Sequence, residues 1–502
     1  MRAHLRQYPQ FALLMMIGAL AMLVPAGYAL KIGDGGTALV FAGSMALVLA
    51  LAFILGLSLM NRSPRISARA HLVTILLVYA ILPLFLALPV ISLVPSFGPL
   101  RGYFEMLSSL TTTGASLIDD PYSVVPAIHL WRGLVSWMGG LFILVIAFSI
   151  MEPMNIGGFE IRSPVAGAGV GADSSGNADS AERILRTVGS IGPVYAGATF
   201  VLMMALILSG DRAFVAAIHA MSIMSTSGIS PVGGLEGSTS GRWGEVFMML
   251  FLMFAVSHRM FLSIANWRNF AWLRHDAEVR IMLIAIGSVS ILLFLRHWLA
   301  AFDVRTQEDS LAAIRALWGS LFTVLSFLTT TGFESADWQT ARNWSGMGTP
   351  GIVLLAVAVA GGGIATTAGG VKLLRLYALY KHGLREMERL VHPSSVGGAG
   401  MAARRFRREG GLIAWIFLML FSIGIALVML ALALENIPFE DSAGLAIAAL
   451  TNTGPAAAML DPALKFSNLD SLGLSVLSIA MIFGRVEVLV LIALFNPSYW
   501  RR

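Results

Sequence analysis

Four short polar stretches, TTTGAS (111–116), STSGIS (225–230), TTTGFE (329–334) and TNTGPA (451–456), stand among long apolar runs. Their glycines, Gly114, Gly228, Gly332 and Gly454, are 114, 104 and 122 residues apart. A period of about 110 residues marks an internal repeat, and the repeating unit constrains the fold more than any single motif. Each unit reads as an apolar run of spanning length, a shorter segment, the polar stretch and a second long run. The first runs cover 70–94, 187–209, 279–301 and 411–434; the second cover 128–150, 241–264, 349–380 and 470–495. Most approach the ~20 residues that a helix needs to cross a bilayer. Two further runs, 11–30 and 38–60, precede the first unit, so ten spans are predicted.

The segments just before the polar stretches, 101–110, 212–224, 310–328 and 440–450, are read as half-helices that enter the membrane and return as extended chain. Extended backbone at that depth leaves N–H and C=O groups unpaired unless it is buried in protein or lines a wet path. Four such hairpins around one axis make a pore. The fold class is therefore an all-α integral membrane protein. It has four pseudo-symmetric helix/pore-loop/helix repeats (69–165, 166–272, 273–398 and 399–502) around that pore, after a two-helix segment, 1–68.

Charge agrees with this layout. With 57% hydrophobic and only 12% charged residues, the chain lacks the surface of a soluble protein. The N-terminus, 61–70, 151–190, 266–280, 372–409 and the C-terminus hold 22 of the 34 Lys/Arg and 10 of the 28 acids, while the opposite side holds 10 basic and 17 acidic residues. The positive-inside rule puts the first set, and with it both termini, in the cytoplasm. The net charge of +6 is thus topological, and no nucleic-acid partner is expected. The first apolar run is of full spanning length with no evident cleavage site, and reads as a retained helix. The absence of cysteine excludes disulfides and thiolate metal sites.

A pore that strips water from a cation must offer oxygens in its place, and rings of backbone carbonyls do so without a countercharge that would trap the ion. Glycine permits positive φ and close approach at the axis. The hydroxyls of Thr111 to Thr113, Ser225 to Ser227 and Thr329 to Thr331 can ligate an ion or brace the loop. The half-helix C-termini add partial negative charge, so the expected ligand is a monovalent, weakly hydrated cation. Outward-side acids, among them Asp119, Asp120, Glu236, Glu308, Asp309, Glu334, Asp337 and Asp461, raise the local cation concentration.

Two further features interrupt apolar helices. GGGIATTAGG (361–370) holds Gly361, Gly362, Gly363, Gly369 and Gly370, each costing about 1 kcal/mol in a helix interior, so the second helix of the third repeat should break there. Thr366 and Thr367 lie within it, and Lys372 ends it, either as an ordinary cytoplasmic anchor or as part of a gate. Arg485 sits midway along the last run, at a cost of roughly 2.5–3.5 kcal/mol unless it faces protein or pore. Glu487, two residues on, points to another face. Arg132 is read as an anchor for a neighbouring loop. No P-loop, HExxH or GxSxG is present, and no enzymatic role is expected.

These residues resemble the Trk/Ktr/HKT superfamily of potassium transporters, specifically its TrkH/TrkG branch. The resemblance covers nearly the whole chain and rests on the four polar stretches, on WRGLVSWMGGLFILVIAFSIM from 131, GGGIATTAGGVKLLR from 361 and GRVEVLVL from 484. It implies potassium uptake through a gated filter in the bacterial inner membrane. The potassium sites would lie at carbonyls of Thr112 and Thr113, Thr226 and Ser227, Thr330 and Thr331, and Asn452 and Thr453, beside the four glycines. It implies a homodimer in lipid with a cytosolic TrkA-type regulatory ring, any nucleotide being bound by that partner and no catalytic cofactor by this chain. Within the resemblance, 361–370 matches an intramembrane loop that blocks the path below the filter, and Arg485 an electrostatic barrier against which the loop acts. The Gly-rich 163–181 departs from the acidic-Met-Pro-Gly element common in relatives. The alternatives are an ion-binding subunit of a P-type ATPase complex, which shares the four-repeat plan, and a sodium/potassium symporter.

Overall fold

The apolar run ahead of the repeats folds as α1 (Gln10–Ala21) and α2 (Leu23–Lys31), nearly continuous through Met22. A turn with Gly33 at φ 83° leads into α3 (Gly35–Leu59). Asp34 caps this third helix, accepting from the Thr37 amide at 3.0 Å and its hydroxyl at 2.6 Å. This computed structural model describes residues 9–59, 68–152, 180–257, 259–260, 276–299, 310–347, 350–392 and 410–486. The Gly-rich 163–179, Glu308, Asp309, the basic 404–408 and Glu487 lie outside the described residues. Those described are all helix, turn and irregular chain, with no strand.

The same order of elements then recurs four times. First come α4 (Ala68–Leu86) and α5 (Leu88–Leu93), the pore helix α6 (Pro99–Leu110) and α7 (Pro126–Ile146), which ends in a π turn at Ala147–Met151. Next are α8 (Ser180–Leu208), pore helix α9 (Ala213–Ser225) and α10 (Gly241–Leu252). The third set is α11 (Ala277–Leu299), pore helix α12 (Ser310–Leu328), a short α13 (Trp338–Ser345) and a broken second helix, α14 (Gly351–Ala360) and α15 (Leu373–Val391). The fourth is α16 (Gly411–Ala433), pore helix α17 (Phe439–Thr451) and α18 (Ser471–Val486).

Among the described residues eight helices are long and apolar enough to cross a membrane. Seven fall on predicted spans. The eighth, Leu311–Leu328, is the third pore helix, which was expected to be too short; at 18 residues it has the length but ends on the polar stretch. The second runs of repeats two to four do not appear as unbroken spans: α10 gives way to a 3-10 turn at Met253–Ala255, α18 is described only to Val486, and the third is interrupted by its glycines.

Packing makes the repeats into a ring. Each pore helix lies against the two long helices of its own repeat and against the second helix of the preceding one: α9 on α7, α12 on α10, α17 on α14 and α6 on α18. The last pairing returns to the first pore helix and closes the circle. The N-terminal helices pack on the outside, against α4 and α7.

Candidate functional site

Every pore helix ends in the same way. Thr112, Thr226, Thr330 and Asn452 have φ of 56°, 55°, 56° and 54°. The next residue turns its amide back to a helix carbonyl: Thr113 to Ser108, Ser227 to Ser222, Thr331 to Ser326 and Thr453 to Ala448, at 2.8 to 3.0 Å. The left-handed residue itself donates three residues back, to Ser109, Ile223, Phe327 and Ala449. This is a Schellman cap with threonine or asparagine where glycine is usual. Left-handed backbone in a β-branched residue is strained, and its recurrence at one step of four helices points to a functional constraint.

Hydroxyls brace the caps. Thr111, Ser225, Thr329 and Thr451 each donate to the carbonyl four residues earlier, at 2.7 to 2.9 Å. Each also contacts the hydroxyl two residues on, in Thr113, Ser227, Thr331 or Thr453, at 2.8 to 3.2 Å. These side chains are fully buried, so the hydroxyls are committed to holding the backbone.

The glycines bring the four stretches together. A Cβ on Gly114 would lie 1.7 Å from the Ser227 carbonyl oxygen, and one on Gly228 would lie 2.2 Å from that of Thr331. At Gly332 it would meet Pro455 at 3.0 Å, and at Gly454 the Ala115 nitrogen at 2.2 Å. Contacts therefore run from the first stretch to the second, third, fourth and back to the first. Gly114, Gly228 and Gly332 use positive φ. Gly454 does not, and the expected extended return is absent there: Gly454–Met459 forms a 3-10 turn with Pro455 at its start. The Gly454 amide donates to the Thr113 carbonyl at 2.5 Å, and the Asn452 amide group to the Thr113 hydroxyl at 2.9 Å. The fourth stretch thus leans on the first.

Buried carboxylates fix where the chain leaves two of the stretches. Glu105, fully buried on α6, accepts from the Ser116 hydroxyl at 3.0 Å and the Leu117 amide at 2.8 Å, and pairs with the buried Arg132 at 2.5 Å. Arg132 is thereby an anchor for the loop beyond the first stretch. Glu245 does the same for the third, accepting from Ser335, the Ala336 amide and Trp318. At the second, His219 Nε2 meets the Ser230 hydroxyl at 2.9 Å. Farther out, Arg242 and Asp337 join repeats two and three, while Ser467 and Lys465 meet Asp119 between repeats four and one. Glu334 is raised above the usual carboxylate range by burial, and then by the Glu236 carboxylate, against the opposing pull of Arg342.

Between α14 and α15 the chain leaves the helix at Gly361, φ 71°, and re-enters after Lys372, φ 83°. The neck is closed by the Val371, Lys372 and Leu373 amides donating to Val359, Ala360 and Gly362. Gly363 donates to Ala255 of repeat two, and the Ile364 amide to Glu278 Oε1 at 2.8 Å. Arg485 Nη1 donates to the Thr367 carbonyl at 2.6 Å, and the Gly369 amide to Thr330 Oγ1 at 2.7 Å. Thr366 bonds back to Gly363, and the Lys372 ammonium to Ala368. Lys372 is 6% exposed, so its side chain belongs to the loop rather than to a surface. A cavity of about 30 Å³, enough for a water, lies between this loop, Arg485 and the π turn that ends α7.

Sequence reasoning singled out the four stretches, the glycine loop and Arg485, and the structure brings these together. It missed Glu278, Glu105, Glu245 and the π turn. A carboxylate inside an apolar segment marks Glu105 and Glu245 as residues needing a partner. Nothing local marks Glu278, which only the fold carries to residue 364.

A family model described as "TrkH: Cation transport protein" matches residues 73–502. The chain is 28% identical to the Trk system potassium uptake protein TrkH of Halomonas elongata over 98% of both chains. It is 27% identical to TrkH of Salmonella typhimurium over 97% of this chain and 98% of that one. The crystal structure of the potassium transporter TrkH from Vibrio parahaemolyticus superposes with a TM-score of 0.81 at 25% identity, covering 98% of each chain.

Proposed function

Because the chain belongs to the TrkH family of cation transport proteins, we propose that it takes potassium into the bacterial cell across the inner membrane, through the ring formed by its four pore-helix ends. The observation that carries this reading is the fourfold recurrence of a strained, hydroxyl-braced cap whose glycines touch in a closed circle.

Acids on the outer side concentrate the cation. At the ring, carbonyls of Thr112, Thr113, Thr226, Ser227, Thr330, Thr331, Asn452 and Thr453 replace its water, with Gly114, Gly228, Gly332 and Gly454 keeping the axis clear of side chains. The hydroxyl braces set the spacing of those carbonyls, and that spacing favours a larger, weakly hydrated ion over sodium. A membrane potential supplies about 2.3 kcal/mol per charge per 100 mV, enough to drive inward flux.

Below the ring the loop 361–370 closes the path. Arg485, bonded to it, adds a positive barrier that a cation leaving the filter would meet. Release follows when the loop moves, through a cytosolic TrkA-type nucleotide-binding partner docked on a homodimer of this chain, with both termini cytoplasmic and lipid around the helices. A P-type ATPase subunit is not favoured, given the family.

Expression in a bacterium lacking potassium uptake, with and without a TrkA-type partner, tests the reading. Growth on low potassium should be restored, with rubidium taken up by the same cells. Failure of both with the partner supplied contradicts it.

A further inference from the structure

Thr112, Thr226 and Thr330 stand at the same step of three filters, all buried and all left-handed, yet their hydroxyls differ. That of Thr112 meets no hydrogen-bonding partner, and that of Thr226 donates to the Ser225 carbonyl at 2.7 Å. Only Thr330 reaches the intramembrane loop, accepting from the Gly369 amide at 2.7 Å. Gly369 is packed close on the fourth stretch as well, where a Cβ would lie 2.0 Å from the Thr451 carbonyl oxygen.

We infer that Thr330 is the seat of the gate: its hydroxyl holds the closed loop against the filter, so that loop release and loss of this bond are one step. The inference rests on the reading of 361–370 as a gate. A valine fills the same space but cannot accept, which leaves the Gly369 amide buried and unpaired while the loop is closed. That penalty falls on the closed state alone and shifts the loop toward release.

The test is rubidium flux into proteoliposomes holding the full chain without a partner, for wild type, Thr330→Val, Thr330→Ser, Thr112→Val, Thr226→Val and Arg485→Ala. Valine's shape on the strained filter backbone is shared by all three positions; at Thr112 it removes no hydrogen bond and at Thr226 only a bond to the neighbouring Ser225 carbonyl, so the excess at Thr330 reads the loop contact. Thr330→Val is expected to raise flux about fivefold or more above Thr112→Val and Thr226→Val, and Thr330→Ser to fall back toward wild type. Should Thr330→Val fail to fold, Thr330→Ala removes the hydroxyl without added bulk, and the same rise is expected. A Thr330 variant no higher than the other two, while Arg485→Ala is raised, overturns the inference and leaves the gate standing. No rise in Arg485→Ala or in any Thr330 variant overturns both.

Discussion

At the scale of single residues, the site is built from groups that would be costly anywhere else. A left-handed threonine costs about 1–3 kcal/mol, and the chain meets that cost three times, using asparagine, which tolerates the conformation better, at the fourth step. Glu105 and Arg132 form a buried pair whose separation is expensive. Glu105→Gln should lower stability by roughly 3–5 kcal/mol, read as a fall in the melting temperature of the purified protein, with rubidium uptake lost as the first filter loop detaches. Glu334, raised by burial and by Glu236, takes up a proton as external pH falls sooner than an ordinary carboxylate would. The outer side then loses a negative charge. Initial rubidium uptake from dilute solution should decline on acidification at a pH above that expected for a free glutamate, and Glu334→Gln should flatten that decline. The hydroxyl and glycine positions are legible in the sequence because they repeat. The carboxylates that pin them are legible only as charges needing partners, and which partner each finds is a matter of fold.

At the scale of elements, the half-helix is the unit whose end matters more than its length. α12 has 19 residues and α6 has 12, yet both stop at a threonine in the same conformation. The glycine-rich break between α14 and α15 is legible because five glycines in ten residues cannot sustain a helix in the membrane. What the loop then touches is not legible, since its partners come from residues 255, 278, 330 and 485. Gly363 shows how tightly it is held: a Cβ there would lie 1.8 Å from the Val256 carbonyl oxygen. Gly363→Ala should therefore unseat the loop and raise partner-free rubidium flux severalfold, without changing the order of ion preference. Flux equal to wild type would show that the loop does not close the path.

At the scale of the whole molecule, the repeats are held in a ring by a simple rule, each second helix packing on the next pore helix until α18 meets α6. The fourfold plan follows from the spacing of the polar stretches. Its departure from symmetry does not, because the Gly454 amide and the Asn452 side chain tie the fourth stretch to Thr113 of the first, while Pro455 sits against Gly332 of the third. The proposal that these four stretches form one potassium-selecting ring can be checked by measuring potassium against sodium as competitors of rubidium uptake, wild type beside Gly114→Ser. The serine Cβ would fall 1.7 Å from the Ser227 carbonyl oxygen, at a backbone φ of 74°, so the ring must shift to admit it. Potassium alone is expected to compete in wild type, and in Gly114→Ser sodium should compete as well or uptake should be lost. Identical ion preference and rate in the two proteins would contradict it.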